Sequence, residues 1–188
     1  MSISDDRVDR PAYVRRMLIT MSGLPGTGKS ELAQAIGRAL EIAVLSVDPI
    51  ESAILEAGIA RSFDTGLAAY LVVRAVADGQ LALGMNVIVD AVNAMEWDKE
   101  MWRDLAAKHG AVLKVIECRC SDEALHRERL RARRRGLVEA LPEPSWEDVE
   151  QRRLEYTPWV EPALRVDSVE SCESNCSRVI DWLALDTG

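Results

Sequence analysis

The sequence predicts a three-layer α/β sandwich with a five-stranded parallel sheet. Short apolar runs alternate with longer amphipathic segments from Met17 onward, which is the pattern of alternating strands and helices. Each connecting segment is long enough to hold a helix, so the strands are expected to pair in parallel through crossovers. With 188 residues, of which 48% are hydrophobic, the chain can bury one sizeable core. A single folded domain over residues 17–188 is therefore expected, after a polar lead-in of residues 1–16.

Each strand is predicted from an apolar run that ends at a turn or a polar residue, at residues 17–21, 43–47, 85–89, 111–117 and 163–166. The first helix is predicted over residues 31–40, where one face carries Leu32, Ala35, Ile36 and Ala39. The other helices are predicted near residues 49–56, 66–83, 96–108, 121–135, 146–156 and 172–185. Many of them have a Ser or Asp near the start that can serve as a cap.

Charge and composition exclude several classes of protein. The chain has 23 Lys and Arg residues against 31 Asp and Glu residues, which gives a formal net charge of -8. This is the wrong sign for a broad nucleic-acid-binding face, so no nucleic-acid partner is expected. The first 16 residues are too charged for a signal peptide, and no apolar run is long enough to cross a bilayer. The chain is therefore expected to be cytoplasmic, with its 4 cysteines as reduced thiols.

Residues 23–30 read GLPGTGKS, which matches the phosphate-binding pattern G-x-x-x-x-G-K-[ST] between a predicted strand and a predicted helix. Glycines let such a loop turn its backbone N–H groups towards a phosphate, where a side chain would block the approach. Lys29 would place a positive charge at the β- and γ-phosphates, and the Ser30 hydroxyl would be a ligand of Mg²⁺. The residues expected to bind the nucleotide are Gly23, Leu24, Pro25, Gly26, Thr27, Gly28, Lys29, Ser30 and Glu31.

Two acidic residues end predicted strands at the edge of the sheet where ligands bind in α/β proteins. Asp48 ends the second strand, where it is placed to orient a substrate or to accept a proton from an attacking hydroxyl. Pro49 follows it, so Asp48 is also placed to cap the next helix. Asp90 ends the third strand, which is the position of an acid that helps to hold Mg²⁺ beside the substrate. Asn93 either contacts the substrate or caps the next helix.

A basic segment follows the fourth strand, since residues 114–135 hold eight Lys and Arg residues against four acidic residues. Arg127 and Arg131 stand four residues apart, so they share a helix face and can reach one triphosphate. The sequence GLVEALPEP comes next, and its two prolines favour a hinged loop. A helical lid over about residues 121–145 is therefore predicted, with Arg127 and Arg131 stabilising the phosphoryl group in transfer. The alternative is an ordinary solvated helix face.

Four aromatic residues and a histidine lie near these motifs. The aromatic residues either line an acceptor or adenine pocket or pack under the lid and on the sheet, and they are Tyr70, Trp146, Tyr156 and Trp159. Packing is the favoured interpretation, because aromatic residues dominate core contacts. His126 has no partner at the spacing of a catalytic triad or a metal site, and it is expected at the surface.

Together these motifs resemble the small P-loop kinases, and most closely the predicted bacterial kinases of the AAA-family ATP-binding branch. That branch is kin to polynucleotide 5′-kinase, chloramphenicol phosphotransferase and zeta-toxin-type kinases. The segments that carry the resemblance are GLPGTGKS (23–30), LSVD (45–48), LALGMNVIVDAVN (81–93), CSDEALHRERLRARR (120–134), PSWEDVEQRRLEYTPW (144–159) and RVDS (165–168). The resemblance implies a kinase-type αβα P-loop NTPase fold with a helical lid. It also implies ATP and Mg²⁺ at Lys29 and Ser30, a base-like acid at Asp48, and a lid pair formed by Arg127 and Arg131.

One departure from the polynucleotide kinases bears on the substrate. In that group an Arg follows the acid three residues on, whereas this chain has Glu51. Glu51 would repel a phosphate backbone, so a small or even cationic hydroxyl compound fits better as the acceptor. The expected function is Mg²⁺-dependent transfer of the γ-phosphoryl group of ATP to this hydroxyl. The alternatives are a nucleotide or polynucleotide 5′-hydroxyl kinase, and a nucleotide-switched ATPase without a separate acceptor.

Overall fold

Five parallel strands form one sheet in the computed structural model, which describes residues 16–134 and 136–184. The strands are β1 (Met17–Ser22), β2 (Ala43–Ser46), β3 (Val87–Asp90), β4 (Val112–Arg119) and β5 (Ala163–Asp167). Their order across the sheet is β2-β3-β1-β4-β5, and all neighbouring strands are parallel. The predicted five-stranded parallel sheet is therefore confirmed. The predicted lead-in, except for Arg16, lies outside the described residues.

Seven helices occur in the described part of the chain: α1 (Lys29–Leu40), α2 (Val47–Glu56), α3 (Phe63–Ala82), α4 (Glu96–His109), α5 (Glu123–Ala132), α6 (Trp146–Glu155) and α7 (Cys172–Ala184). α3 begins three residues before its predicted start, because Ser62 and Thr65 form a capping box there. α5 ends at Ala132, before its predicted end, because Arg133 has an extended backbone with φ −60° and ψ 132°. None of the helices in the described residues is long and apolar enough to cross a membrane.

Helices cover both faces of the sheet, as a parallel sheet requires. On one face, Ile19 of β1 packs in a cluster with Ile36 of α1 and Val179 of α7. On the other face, Leu18 of β1 belongs to a cluster with Val73 of α3, and α4 also packs there. Successive residues of a strand point to opposite faces, so Leu18 and Ile19, both fully buried, lie in different layers of the core. The predicted three-layer architecture is confirmed.

The strands are parallel and β3 lies between β2 and β1, so the carboxyl ends of these three strands lie side by side at one edge of the sheet. Met21 of β1 is in register with Asp90 of β3, and Ser46 of β2 is in register with the same residue. The loop that follows β1 and the first turn of α2 therefore meet beside Asp90. Ligands of α/β proteins bind in the crevice outside the carboxyl ends of the strands.

Candidate active site

The loop between β1 and α1 has a backbone that only glycine adopts easily. Gly23 has a φ of +143°, and a Cβ atom there would lie 2.3 Å from the carbonyl oxygen of Cys118. Gly28 has a φ of +80° and is the residue before α1, where it has no side chain to cap the helix. Inside the loop, the Thr27 hydroxyl donates a hydrogen bond to the Leu24 carbonyl over 2.8 Å. The first amide groups of α1 therefore have no side-chain cap, which is the arrangement that binds an anion at a helix N-terminus.

Three side chains near the loop carry the groups expected to bind a phosphate and its metal ion, and they are Lys29, Ser30 and Asp90. Lys29 is 5% exposed as the first residue of α1, and Ser30 follows it. Asp90 is buried at the end of β3, where its Oδ2 accepts a hydrogen bond from the Ser46 hydroxyl over 3.0 Å. Its other oxygen, Oδ1, is buried and has no hydrogen-bond partner among the described residues. A buried carboxylate oxygen without a hydrogen-bond partner is a ligand that suits Mg²⁺ or a Mg²⁺-bound water. The residues present therefore fit the ion.

A first cavity of about 580 Å³ lies over this loop and the start of α1. Its lining includes residues 26–32, Arg129, Arg133, residues 168–172 and Asn175. Asn175 is 3% exposed, and its Nδ2 donates to the Asp167 carbonyl over 2.9 Å. This bond determines which way the amide faces, since only the nitrogen can donate. The Oδ1 of Asn175 is left without a hydrogen-bond partner among the described residues.

A second cavity of about 430 Å³ shares Lys29 and Arg133 with the first. Its lining includes Asp48 and Glu51 from α2, and residues 141–144 from the segment after α5. A third cavity of about 500 Å³ adjoins it through Asp48 and Glu51, which line both. The first and second cavities therefore meet at the side chains of Lys29 and Arg133, and the second cavity continues into the third.

Asp48 lies inside the first turn of α2 rather than before it. The helix begins at Val47, and its N-cap residue is Ser46, whose hydroxyl donates to Asp90 instead of capping the helix. The Asp48 side chain is 41% exposed, and its Oδ2 lies 3.6 Å from a terminal nitrogen of Arg133. The capping role that the sequence left open for Asp48 therefore does not apply, and its carboxylate faces the second and third cavities.

The structure brings Arg129 and Arg133, rather than Arg127 and Arg131, to the first cavity. Arg129 donates a hydrogen bond to the Ser168 hydroxyl over 2.7 Å. Arg127 instead pairs with Glu123 over 2.7 Å and lies 4.1 Å from the centre of the Trp146 ring. Arg131 is exposed and lines none of the three cavities. The predicted helix therefore borders this cavity through Arg129 and, just after its end, through Arg133, and the phosphate contacts of Arg127 and Arg131 stay a prediction.

His126 explains which face of α5 turns inwards. The surface position expected for it is wrong, because it is 2% exposed and its Nε2 lies 2.7 Å from the Pro25 carbonyl oxygen. Burial lowers the pKa of His126, so the neutral ring donates this hydrogen bond through Nε2–H. A Cβ atom at Gly26 would lie 3.0 Å from the ring, so the glycine allows the close approach. Leu130, one turn later, is buried on the same side and was the sequence signal for this face.

Asn93 joins two elements of the core and does not cap the next helix. It is fully buried, its Nδ2 donates to the Met21 carbonyl over 2.7 Å, and its Oδ1 accepts from the Trp102 indole over 2.8 Å. α4 begins later, at Glu96, so Asn93 does not cap it. Both ends of the amide are used to join β1 to α4, and Asn93 lines none of the three cavities. These contacts do not support a substrate role.

Behind the loop, Ser22 is a hydrogen-bonding centre that the sequence did not reveal. Its hydroxyl lies 2.6 Å from the Tyr156 hydroxyl and 3.0 Å from the Trp159 indole nitrogen. Close by, Lys99 is fully buried and donates to the Thr157 hydroxyl over 2.7 Å. Burial lowers the pKa of Lys99. These contacts fix the chain after α6 against the sheet, so Tyr156 and Trp159 have the packing role favoured for them.

Comparison with known proteins agrees with the fold. Residues 18–155 match the family described as an AAA domain, which is more than half of the chain, and no match was found among curated proteins. The fold is similar to that of a protein from Chloroflexus aurantiacus thought to be a kinase, with 22% identity and a TM-score of 0.72 over 89% of this chain and 98% of that one. It is also similar to Chaetomium thermophilum Kti12 in complex with ADP-AlF3, with 18% identity and a TM-score of 0.69 over 91% and 99% of the two chains. A third similar structure is Mycobacterium tuberculosis APS kinase CysC in complex with AMPPNP and APS, with 22% identity and a TM-score of 0.64 over 90% and 98%. The chain therefore belongs to the AAA domain family, and its fold is that of the small P-loop kinases.

Proposed function

We propose that this protein transfers the γ-phosphoryl group of ATP to a hydroxyl group of a small molecule, with Mg²⁺ as cofactor. The observation that carries the proposal is that Lys29 and Arg133 line both the first and the second cavity. A triphosphate bound along the loop in the first cavity would present its γ-phosphate where the two cavities meet. A separate cavity at this point suits an acceptor molecule. A nucleotide-switched ATPase has no need of one.

The phosphates would be held by groups that already surround the loop. The loop amides and the start of α1 would bind the β-phosphate, and Lys29 would lie between the β- and γ-phosphates. Arg129 and Arg133 take the role that the sequence assigns to Arg127 and Arg131, because they are the arginines of this segment that line the first cavity. Ser30 and Asp90 would hold Mg²⁺, which when bound neutralises charge on the phosphate oxygens.

Asp48 is the group that we assign to the acceptor hydroxyl. The acceptor oxygen would attack the γ-phosphorus, the bond from that phosphorus to the β–γ bridging oxygen would break, and ADP would leave with the electron pair. The hydroxyl proton would pass to the Asp48 carboxylate. Arg133 lies 3.6 Å from Asp48 and also lines the first cavity, so one guanidinium group can orient the carboxylate and contact the transferred group.

Asn175 supports ATP over GTP as the phosphate donor. Its Oδ1 is an acceptor without a partner among the described residues, on a side chain that lines the first cavity. The exocyclic amino group of adenine would donate to this oxygen. Guanine carries a carbonyl oxygen at the same position of the ring, so two acceptors would face each other and one buried oxygen would stay unpaired.

The test is ADP release from Mg·ATP with and without added hydroxyl compounds, compared for the wild type, Asp48→Asn and Asp104→Asn. Asp104 is an exposed acid on α4 that lines none of the three cavities. We expect ADP release to depend on the acceptor, and to fall by about 10²–10⁴ in Asp48→Asn, the usual loss of a positioned general base. Asp104→Asn should match the wild type. ADP release that no hydroxyl compound stimulates would instead make the protein a hydrolase or switch.

A further inference from the structure

Resting on the proposed function, we propose that the acceptor is a cationic hydroxyl compound of the amino-alcohol class, whose ammonium group binds in the third cavity. That cavity is lined by acidic and aromatic side chains together, among them Glu51, Asp98, Glu155, Tyr70 and Trp97. Asp48 lines both the second and the third cavity. A hydroxyl at Asp48 and an ammonium group in the third cavity can therefore come from one small molecule.

Asp98 is the most specific evidence for a cation site in the third cavity. It is 3% exposed, and its Oδ2 accepts a hydrogen bond from the Met95 amide over 3.1 Å in the first turn of α4. Its Oδ1 is buried and has no hydrogen-bond partner among residues 16–134 and 136–184. Burial raises the pKa of Asp98 to about 6, although the Met95 amide and the charge of the neighbouring Lys99 favour the charged form, so the carboxylate would gain from a partner at Oδ1. An ammonium group in the third cavity would supply that partner.

The charges of the third cavity also favour a cation. Four acidic residues line it against two arginines, Arg61 and Arg152. Hydrogen bonds from Ser145 and the charges of Arg152 and Arg61 keep the pKa of Asp148 below its usual range, so both arginines already interact with that exposed carboxylate. A ligand with positive charge would therefore meet a net negative surface.

Aromatic rings complete the site. Tyr70 and Trp97 pack edge to face, with their ring centres 5.4 Å apart, and both line the third cavity. Phe63 lines the same space and is 70% exposed, which is unusual for a phenylalanine on a helix of a folded core. Aromatic faces beside carboxylates attract ammonium groups, and they bind quaternary ammonium groups particularly well. A sugar acid or a nucleoside phosphate would bring negative charge to a lining in which acidic residues outnumber arginines.

The test compares acceptors that differ only in charge. Choline is compared with its neutral isostere 3,3-dimethylbutan-1-ol, and ethanolamine with ethylene glycol and with glycolate. Binding is measured by Trp97 fluorescence, with Trp97→Leu as the blank, and turnover is measured by ADP release. We expect at least one cationic compound to bind at millimolar concentration, and its kcat/KM to exceed that of its neutral partner by about 10- to 100-fold, the range of desolvated cation–π and ion pairs.

Two variants locate the binding site. Asp98→Asn keeps an acceptor for the Met95 amide but removes the charge, so it should raise the KM for the cationic compound about tenfold and leave the KM for ATP unchanged. Asp104→Asn on the same helix should change neither. The proposal is overturned if neutral or anionic members are the better acceptors, or if no cationic member binds. If neutral compounds alone stimulate ADP release, the cation site is rejected but the proposed kinase activity stands. If no compound stimulates ADP release although Mg·ATP still binds, the proposed kinase activity itself is rejected.

Discussion

Replacing Arg133 should reduce phosphoryl transfer far more than replacing Arg131, although both lie in the same run of arginines. The Arg133 side chain is 18% exposed, borders the first and second cavities, and lies 3.6 Å from Asp48 and 3.8 Å from Glu143. A unit charge at about 4 Å from developing negative charge contributes about 4 kcal/mol at an effective dielectric constant of about 20. Since each 1.36 kcal/mol is about tenfold in rate, Arg133→Ala should lower kcat by about 10³.

The Arg133→Lys variant separates the effect of the positive charge from the effect of the planar guanidinium group. Arg133→Lys keeps the positive charge but loses the planar fork that contacts two oxygens at once, so we expect a loss of about 10- to 100-fold. Arg131→Lys and Arg131→Ala should stay within about twofold of the wild type, because Arg131 is solvent-exposed. The assay is steady-state ADP release with the best acceptor, together with the affinity for Mg·ATP. Equal losses for Arg131→Ala and Arg133→Ala, or full turnover by Arg133→Ala, would refute the assignment.

Four further predictions concern single residues. Asp90→Asn should raise the Mg²⁺ concentration for half-maximal activity by about 10- to 100-fold, the effect of losing a ligand-shell carboxylate, in a Mg²⁺ titration at saturating ATP. Asn175→Ala should reduce the preference for ATP over GTP by about 10-fold or more, measured as the ratio of kcat/KM values, because the acceptor for the adenine amino group is lost. Lys99→Ala should lower the free energy of unfolding by about 2–5 kcal/mol in urea denaturation, because it removes buried hydrogen bonds and leaves a cavity. As a control, replacing the exposed Lys108 by Ala should lower it by less than about 1 kcal/mol. Burial lowers the pKa of His126 in the folded state, so the unfolded chain binds a proton first as the pH falls through about 6.5. The melting temperature of the wild type should therefore fall more steeply between about pH 7 and pH 5 than that of His126→Gln, measured side by side.

The sheet, the helices and the phosphate-binding loop were predictable because they depend on local patterns. Strand and helix periods follow from the order of apolar residues, and the loop needs glycines at fixed spacing before Lys29 and Ser30. The position of Asp90 followed from the rule that strand ends in a parallel sheet share one edge, whereas Asp48 lies just beyond its strand, in the first turn of α2. These are short-range features, so a single sequence is enough to identify them.

The rest of the site depends on contacts between distant parts of the chain. α5 has charged residues on several sides, so its inward face is determined by the contact of His126 with Pro25, which is 101 residues away in sequence. Asn93 is held by the Met21 carbonyl, 72 residues away, and this contact has no sequence signal. The unpaired oxygens of Asp98 and Asn175 are visible only once their neighbours are placed. Leu130 was a local clue to the inward face of α5, because it is a leucine on a charged helix and is buried in the structure.

The most direct test of phosphotransfer follows the γ-phosphate itself. The protein is incubated with Mg²⁺, ATP labelled on its γ-phosphate and the best hydroxyl acceptor, and the labelled products are separated. Because Lys29 and Arg133 line both the first and the second cavity, we expect the label to appear as a phosphate ester of the acceptor, with little inorganic phosphate. Asp48→Asn should form this ester at least about 10² times more slowly while it still binds Mg·ATP. Label found only as inorganic phosphate, at the same rate with or without the acceptor, would contradict the proposed transfer.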